Sequence, residues 1–236
     1  MTPQRANNNM VTIAERLNNA YDRIAKAEQN GQISDPVQLL AVSKTKPIEL
    51  IQQAYDAGQR LFGESYVQEA VDKVSHFKPL RDIEWHFIGP IQSNKSRHIA
   101  EHFSWVQSVD RLKIARRLNE QRPTNLKPLN ILIQVNISED VNKSGCVPSE
   151  LESLAQFISE SKQLTLRGLM TITAKTDDSE LQQQYFQQMK DCFDKLKAQY
   201  PQIDTLSMGM SSDLEPAVAA GATMVRIGTD IFGKRQ

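Results

Sequence analysis

The stretch IDTLSMGMSSDLEPAVAAGATMVRIG, residues 203–228, contains a complete strand–helix–strand unit. Its two apolar runs predict strands at 203–208 and 224–228, and the segment between them predicts a short helix that ends at Ala220-Gly221. Because a helix separates the two strands, they are expected to run parallel. Eight residues follow the second strand, fewer than an ordinary closing helix needs.

The same alternation extends back through the chain. Six further apolar runs, each followed by a helical stripe, predict strands at 39–42, 60–63, 83–89, 104–109, 131–136 and 166–172. Eight such units in about 200 residues fit a closed (β/α)₈ TIM barrel better than an open doubly wound sheet, which is the alternative. A helix predicted at 10–29, before the first strand, would occupy the outer position that the short C-terminal end leaves vacant. We expect Asp110 to cap the fifth helix and Pro148 to open the sixth.

The composition excludes several classes of protein. The 236 residues carry 28 basic and 28 acidic side chains, which argues against a nucleic-acid partner because such proteins usually have a basic excess. No apolar run approaches the roughly 20 residues that a membrane span needs. The 2 cysteines permit neither a disulfide framework nor a structural zinc site. We expect a cytoplasmic monomer in which residues 1–236 form a single domain, with residues 1–9 flexible.

Two loops at the carboxyl ends of the last strands are typical of an anion site. The first runs from Met208 to Asp213 and the second from Arg226 to Thr229; both combine a glycine with hydroxyl groups. Strand-end loops seven and eight are the usual phosphate-binding position of a barrel. Alternatively, the glycines permit turns and Ser211 or Ser212 caps the following helix.

A lysine at the end of the first strand provides the second signal. Lys44 is expected to point into the barrel mouth, where loss of water lowers the pKa of an amine and favours Schiff-base chemistry. Lys46 competes for this role, and a solvated lysine is the simpler interpretation of either residue. A strand-one lysine that faces a phosphate site indicates a phosphorylated aldehyde, of which pyridoxal 5′-phosphate (PLP) is the obvious candidate.

The sequence resembles the YggS/PROSC family of pyridoxal phosphate-binding, or homeostasis, proteins over nearly its whole length from about residue 10. The matching segments are LLAVSKTKP at 39–47, AGQRLFGESYVQEAVDK at 57–73, WHFIGPIQSNK at 85–95, KSGC at 143–146, RGLMTI at 167–172 and LSMGMSSDLEPAVAAGATMVRIGTDIFG at 206–233. The resemblance implies a single-domain barrel similar to the N-terminal domain of alanine racemase.

The resemblance also implies the roles of individual residues. It makes Lys44 the covalent carrier of PLP, as an aldimine, and Arg226 the partner of the pyridine nitrogen. The implied phosphate ligands are Ser211, Ser212, Gly228 and Thr229. One residue departs from the family pattern, because Ser65 stands where an asparagine is common, and a contact to the cofactor ring would be shortened or lost there.

These residues favour a carrier of PLP over an enzyme. An arginine beside the pyridine nitrogen disfavours its protonation and makes the ring a poorer electron sink. A racemase of this type takes its second acid/base tyrosine from an additional C-terminal domain, which is not expected after the eighth strand; Tyr66 alone lies near a strand end. We therefore expect no catalytic residues and PLP-requiring apoenzymes as possible partners. The alternatives are a small PLP-dependent racemase or lyase and a cofactor-free Schiff-base aldolase.

No metal site is expected. His76, His98 and His102 lie on or beside helices without a common ligand spacing, and His86 lies inside the third strand, where a buried core role is the simpler interpretation. Cys146 is expected near the surface, with no motif that marks it as a nucleophile.

Overall fold

The computed structural model describes residues 11–234, so the flexibility predicted for residues 1–9 lies outside the described residues. Eight parallel strands pair in chain order, and the last pairs with the first to close a barrel. The strands are β1 (Gln38–Val42), β2 (Leu61–Glu64), β3 (Glu84–Phe87), β4 (Trp105–Val109), β5 (Leu129–Gln134), β6 (Leu164–Met170), β7 (Thr205–Ser207) and β8 (Met224–Ile227). The predicted (β/α)₈ barrel is confirmed, and the open doubly wound sheet is wrong.

A helix follows every strand, and one further helix precedes the first strand. The helices are α1 (Ile13–Gly31), α2 (Ile48–Asp56), α3 (Val67–His76), α4 (Ser96–His102), α5 (Leu112–Gln121), α6 (Leu151–Glu160), α7 (Ser179–Gln199), α8 (Leu214–Ala219) and α9 (Thr229–Phe232). Because α9 is a single turn, the outside of the barrel beside β8 needs other cover. The helix α1 supplies it by packing against α8 and α9, as predicted.

The start of α1 differs from the predicted residue 10 for a local reason. The Thr12 hydroxyl accepts the Glu15 N–H at 3.2 Å, and the Glu15 carboxylate accepts the Thr12 N–H at 2.7 Å. This capping box satisfies two of the N–H groups that the first turn leaves unpaired, so the helix begins at Ile13.

The predicted cap Asp110 and the alternative caps Ser211 and Ser212 are wrong. The residue before α5 is Arg111, and the Asp110 carboxylate accepts a hydrogen bond from its guanidinium rather than from the helix. Neither Ser211 nor Ser212 caps α8; Asp213 occupies that position, and its carboxylate accepts the Met210 N–H at 2.6 Å. The prediction that Pro148 opens the sixth helix is confirmed, because a 3₁₀ turn over Pro148–Glu150 begins there and leads directly into α6.

The interior of the barrel is partly polar. Apolar side chains of the strands and helices pack together in one continuous core. A small apolar cluster of Trp105, Leu132 and Met170 is separate from this core. Gln107 of β4 reaches Ser207 of β7 with a 2.7 Å hydrogen bond, so polar side chains meet across the inside of the barrel. His86 stacks on Trp105 with ring centroids 5.0 Å apart.

Candidate functional site

Lys44 lies at the barrel mouth, in a turn two residues beyond the end of β1 rather than at the last strand position. Its half-buried side chain lines a cavity of about 680 Å³ together with Tyr66, Ile88 and Arg111. Cavities of about 300–1,000 Å³ are typical of sites for small ligands. The structure therefore places the predicted lysine in the wall of a cavity at the carboxyl end of the strands.

Lys46, the competing lysine, has a structural partner. Its ammonium donates to the carbonyl groups of Gly233 and Lys234, each at 2.9 Å. These bonds tie the loop after β1 to the chain after α9. Lys44 lines the cavity at the mouth, and Lys46 is not among the residues that line it.

A buried ion pair supports the Lys44 turn from below. Glu64, at the end of β2, accepts hydrogen bonds from the Ser43 hydroxyl at 2.6 Å and from the Lys73 ammonium at 2.8 Å. Burial raises the pKa of Glu64, and the nearby Lys73 charge opposes that rise. Neither Glu64 nor Lys73 was singled out from the sequence, because a strand-end carboxylate and a helix lysine carry no signal of their pairing.

The loop after β7 lies beside the Lys44 cavity. Ser212 lines an adjoining cavity of about 410 Å³ with Lys143 and Lys175, and Ile172 lines both cavities. Ser211 is held from outside, since its carbonyl accepts a 3.1 Å hydrogen bond from Arg23. The predicted phosphate loop thus borders a site with two lysines, although it does not share a cavity with Lys44.

Arg23 of α1 links the two predicted phosphate loops. Besides Ser211, it pairs with Glu215 of α8 at 2.9 Å and with Asp230 of α9 at 2.8 Å. A single guanidinium therefore bridges the loop after β7 and the first turns of α8 and α9. The sequence analysis missed Arg23, because its polar position on α1 is indistinguishable from a solvated helix surface.

Gly228 brings the loop after β8 close to the end of β1. A Cβ atom at this position would lie 3.1 Å from the Val42 carbonyl oxygen, so a larger residue would push the two loops apart. Thr229 follows as the first, exposed residue of α9. The predicted phosphate residues Gly228 and Thr229 thus adjoin the strand that leads to Lys44, while they line neither of the two cavities described above.

Arg226 is a buried cation inside the barrel. It is 4% exposed and donates to the Ser207 hydroxyl at 2.7 Å and to the Thr171 carbonyl at 2.8 Å. Burial lowers the pKa of Arg226 to about 10, with Asp213 opposing the change, so the guanidinium stays charged at neutral pH. The role predicted for Arg226 toward a cofactor stays a prediction.

A hydrogen-bonded chain extends from Arg226 across the barrel. The Ser207 hydroxyl donates to Gln107, whose amide nitrogen lies 2.9 Å from His86 Nδ1. Burial, followed by the charge of Arg167, lowers the pKa of His86 to about 3, so the ring is neutral. Because the amide donates to Nδ1, the proton sits on Nε2, which has no hydrogen-bond partner among residues 11–234. The sequence predicted a buried His86 but gave no sign of Gln107.

Ser65 and Tyr66, which follow β2, form part of the wall of the Lys44 cavity. The Tyr66 side chain is about half exposed. The Ser65 backbone is pressed against the loop after β3, where a Cβ on Gly89 would lie 2.2 Å from the Ser65 carbonyl oxygen. Ser65 therefore stands at the cavity, as its place in the family motif implies, and Tyr66 is close enough to the mouth to matter for any chemistry there.

Two sequence expectations concern residues outside the mouth. His98, Glu101 and His102 share a face of α4 with ligand atoms within 4.8 Å of one another, whereas His76 does not belong to this group, and the expectation of no metal site stays a prediction. The three side chains line neither of the cavities at the mouth. Cys146 is buried rather than exposed, and burial raises the pKa of its thiol to about 12, so it is unreactive at neutral pH.

No helix between residues 11 and 234 has the length and apolar character to cross a membrane.

Comparisons with known proteins show the family to which the chain belongs. Residues 16–236 match the family described as alanine racemase, N-terminal domain. The chain is 56% identical over 230 residues to the pyridoxal phosphate homeostasis protein of Vibrio alginolyticus, covering 96% of this chain and 99% of that protein.

Solved structures show the same fold. PipY of Synechococcus elongatus PCC7942, determined with PLP bound, superposes with a TM-score of 0.83 at 38% identity and covers 94% of this chain and 100% of its own. Alanine racemase of Corynebacterium glutamicum superposes with a TM-score of 0.65 at 17% identity, over 91% of this chain and 61% of that one, which is a likeness of fold. The chain belongs to the alanine racemase N-terminal domain family and, within it, to the family of the pyridoxal phosphate homeostasis proteins.

Proposed function

We propose that this protein binds PLP at the barrel mouth, with Lys44 as the covalent anchor, and acts in PLP homeostasis without turning over a substrate. The observation that carries the proposal is Lys44 in the wall of a 680 Å³ cavity at the carboxyl ends of the strands. Relatives named pyridoxal phosphate homeostasis proteins and a relative determined with PLP bound support it.

The residues present fit the chemistry of this cofactor. Bound here, PLP supplies an aldehyde carbon with which the Lys44 amine condenses, losing one water, to give a Schiff base. Its phosphate requires cations and N–H or O–H donors, and the mouth offers Lys143 and Lys175 beside Ser212. We assign the phosphate to the loops that contain Ser211, Ser212, Gly228 and Thr229.

Arg226 is the residue that argues against turnover. We assign it to the pyridine nitrogen, where a guanidinium that is charged at neutral pH disfavours protonation of the ring. An unprotonated ring withdraws electrons from a substrate less strongly, so carbanion chemistry is weakened. The same arrangement suits a protein that holds the aldehyde reversibly and releases it.

The wider setting of this role is part of the proposal. We expect a monomer that delivers PLP to apoenzymes in the cytoplasm. Both cysteines, Cys146 and Cys192, are free thiols, which is usual for a reducing compartment.

The absorbance spectrum of purified protein mixed with PLP tests the assignment. Wild type should show the visible band of a lysine Schiff base, and Lys44→Ala should lack it. Lys46→Ala is the matched control, because Lys46 lies two residues away and contacts backbone carbonyls. A band that persists in Lys44→Ala, or disappears in Lys46→Ala alone, would contradict the assignment.

One observation favours the second candidate, a small PLP-dependent racemase or lyase. Tyr66 lines the same cavity as Lys44, where a phenol is suited to transfer a proton at the substrate carbon. Incubation of the PLP-loaded protein with single-enantiomer amino acids in deuterated water separates the two functions. Exchange of the Cα proton at a steady rate that is lost in Tyr66→Phe would support the enzyme; no exchange above that of free PLP would support the carrier.

A further inference from the structure

We propose that Lys73 and Glu69 are positioning residues for Lys44, and that they set how tightly the protein retains its cofactor. Together with Glu64 they form a cluster that we call the Lys73 clamp. The proposal rests on the proposed function of Lys44. It adds residues of α3 that contact neither cavity at the mouth but act on the turn that carries the lysine.

The Lys73 ammonium uses all three of its N–H donors. It donates to the Ser43 carbonyl at 2.7 Å, to Glu64 Oε1 at 2.8 Å and to Glu69 Oε1 at 2.5 Å. Its side chain is 5% exposed, so water has little access to these bonds. An ammonium with every proton committed inside the protein fixes the positions of its acceptors.

Two of these acceptors lead directly to the residues on either side of Lys44. The Ser43 carbonyl belongs to the residue before it. Glu69 Oε1 also accepts the N–H of Thr45, the residue after it, at 2.7 Å. One buried cation therefore holds the backbone on both sides of the proposed anchor.

The turn needs such restraint because its conformation is unfavourable. Thr45 has a φ of 61°, in the left-handed region that β-branched residues rarely adopt. Strained backbone of this kind persists where its surroundings determine it, and it is concentrated at functional sites. The Lys73 clamp stabilises this conformation through its hydrogen bonds with the Thr45 N–H and the Ser43 carbonyl.

Stability alone does not account for a charged cluster at this place. A buried ion pair is seldom more stabilising than a well-packed apolar pair, since both ions lose their hydration. Here the cost is visible, because Glu64 Oε2 is buried without a hydrogen-bond partner among the described residues. Control over the Lys44 turn is a function that apolar side chains cannot perform.

The variant Glu69→Ala tests the proposal without disturbing the buried pair. The Glu69 side chain is 31% exposed, and the substitution leaves both partners of the 2.8 Å contact between Lys73 and Glu64 in place. Glu49→Ala is the matched control, because Glu49 occupies the first turn of α2 as Glu69 occupies that of α3. Glu69→Gln is the conservative variant, whose amide oxygen can still accept the Thr45 N–H.

Two measurements are made on each variant. In the protein without PLP, hydrogen exchange of the Thr45 amide should be at least about tenfold faster in Glu69→Ala than in wild type, with Glu69→Gln intermediate. In the loaded protein, the visible band should decay at least about tenfold faster when free PLP is removed by an apoenzyme. Glu49→Ala should match wild type in both, and the thermal midpoints of all variants are recorded to separate positioning from loss of fold.

The outcomes distinguish this proposal from the function on which it rests. Wild-type rates of Thr45 exchange and of PLP loss in a folded Glu69→Ala would overturn the clamp and leave PLP binding intact. Faster exchange with an unchanged rate of PLP loss would also overturn it, because the turn would then be held without consequence for the cofactor. Wild-type protein that forms no band with PLP would overturn the proposed function, and the role of the clamp with it.

Discussion

Replacing Lys73 by methionine removes the charge that lies 2.8 Å from Glu64 Oε1 and keeps an unbranched apolar side chain in its place. The two side chains are 5% and 0% exposed, so water cannot solvate the carboxylate that is left behind. Removing one partner of a buried ion pair typically costs about 3–5 kcal/mol. At about 2–4 °C per kcal/mol for a chain of this size, the melting temperature of Lys73→Met should fall by roughly 6–20 °C.

The size of this loss should depend on pH, because Glu64 can bind a proton. Burial raises the pKa of Glu64 above 4.5, and the loss of Lys73 removes the main opposing interaction, so the pKa rises further. A carboxyl group whose pKa is higher in the folded than in the unfolded state lowers the free energy of unfolding as the pH rises from the unfolded-state pKa to the folded-state pKa. The free energy of unfolding of Lys73→Met should therefore fall furthest below that of wild type at alkaline pH, and this deficit should shrink as the pH falls toward 4.5.

Urea unfolding followed by circular dichroism, at pH about 8 and about 5, measures the deficit. The double variant Lys73→Met/Glu64→Gln should recover most of it at the higher pH, because the amide carries no charge. A deficit below about 1 kcal/mol at both pH values, or one that the second substitution does not relieve, would refute the idea that Lys73 offsets a buried carboxylate charge.

Three further predictions concern the rest of the fold and the site. Gly168→Ala should cost at least about 2 kcal/mol in urea unfolding, because its φ is 144° and a Cβ would lie 1.9 Å from the Thr205 carbonyl oxygen. Gly58→Ala, with a φ of 100° and nothing within 4 Å, is its control and should cost less. In ¹⁵N NMR spectra, His86 should stay neutral with its proton on Nε2 from pH about 8 to about 4. The stability that depends on the neutral ring should be lost as the pH falls from 6.5 toward 3. A ring that is protonated at pH about 6 would contradict the lowered pKa. Arg23→Ala should weaken PLP binding several-fold in equilibrium dialysis. It should cost less than about 1 kcal/mol in the free energy of unfolding, because the ion pairs of Arg23 are partly exposed. An unchanged affinity would show that PLP binding does not need the link between the two loops.

The barrel was predictable from the sequence because the alternation of apolar runs and helical stripes is a local property. The errors of the prediction lie at the ends of strands and helices. The apolar run at 83–89 extends beyond β3 (Glu84–Phe87), because Ile88 is an apolar residue that lines the Lys44 cavity and does not belong to the strand. The helix caps show the same kind of error, since the predicted cap Asp110 and the alternative cap Ser212 each lie one residue before the observed cap positions, Arg111 and Asp213.

The candidate site was predictable only in part. Lys44 stands out because it closely follows the apolar run that predicts the first strand, and the loops after the strands form the mouth of a barrel. Residues that act by pairing across the fold gave no signal, because Arg23, Lys73 and Gln107 meet partners that lie far away in the sequence. Such pairings depend on which faces the closed barrel brings together, and no spacing within one segment encodes them.

The position of the covalent bond tests the central claim most directly. Protein loaded with PLP is treated with borohydride, which adds hydride to the C=N bond and fixes the cofactor to its lysine, and the modified peptide is identified by mass spectrometry. The predicted result is a single modification at Lys44, absent from Lys44→Ala and unchanged in Lys46→Ala. Modification at Lys46 or Lys143 in the wild type, with Lys44 unmodified, would contradict the claim.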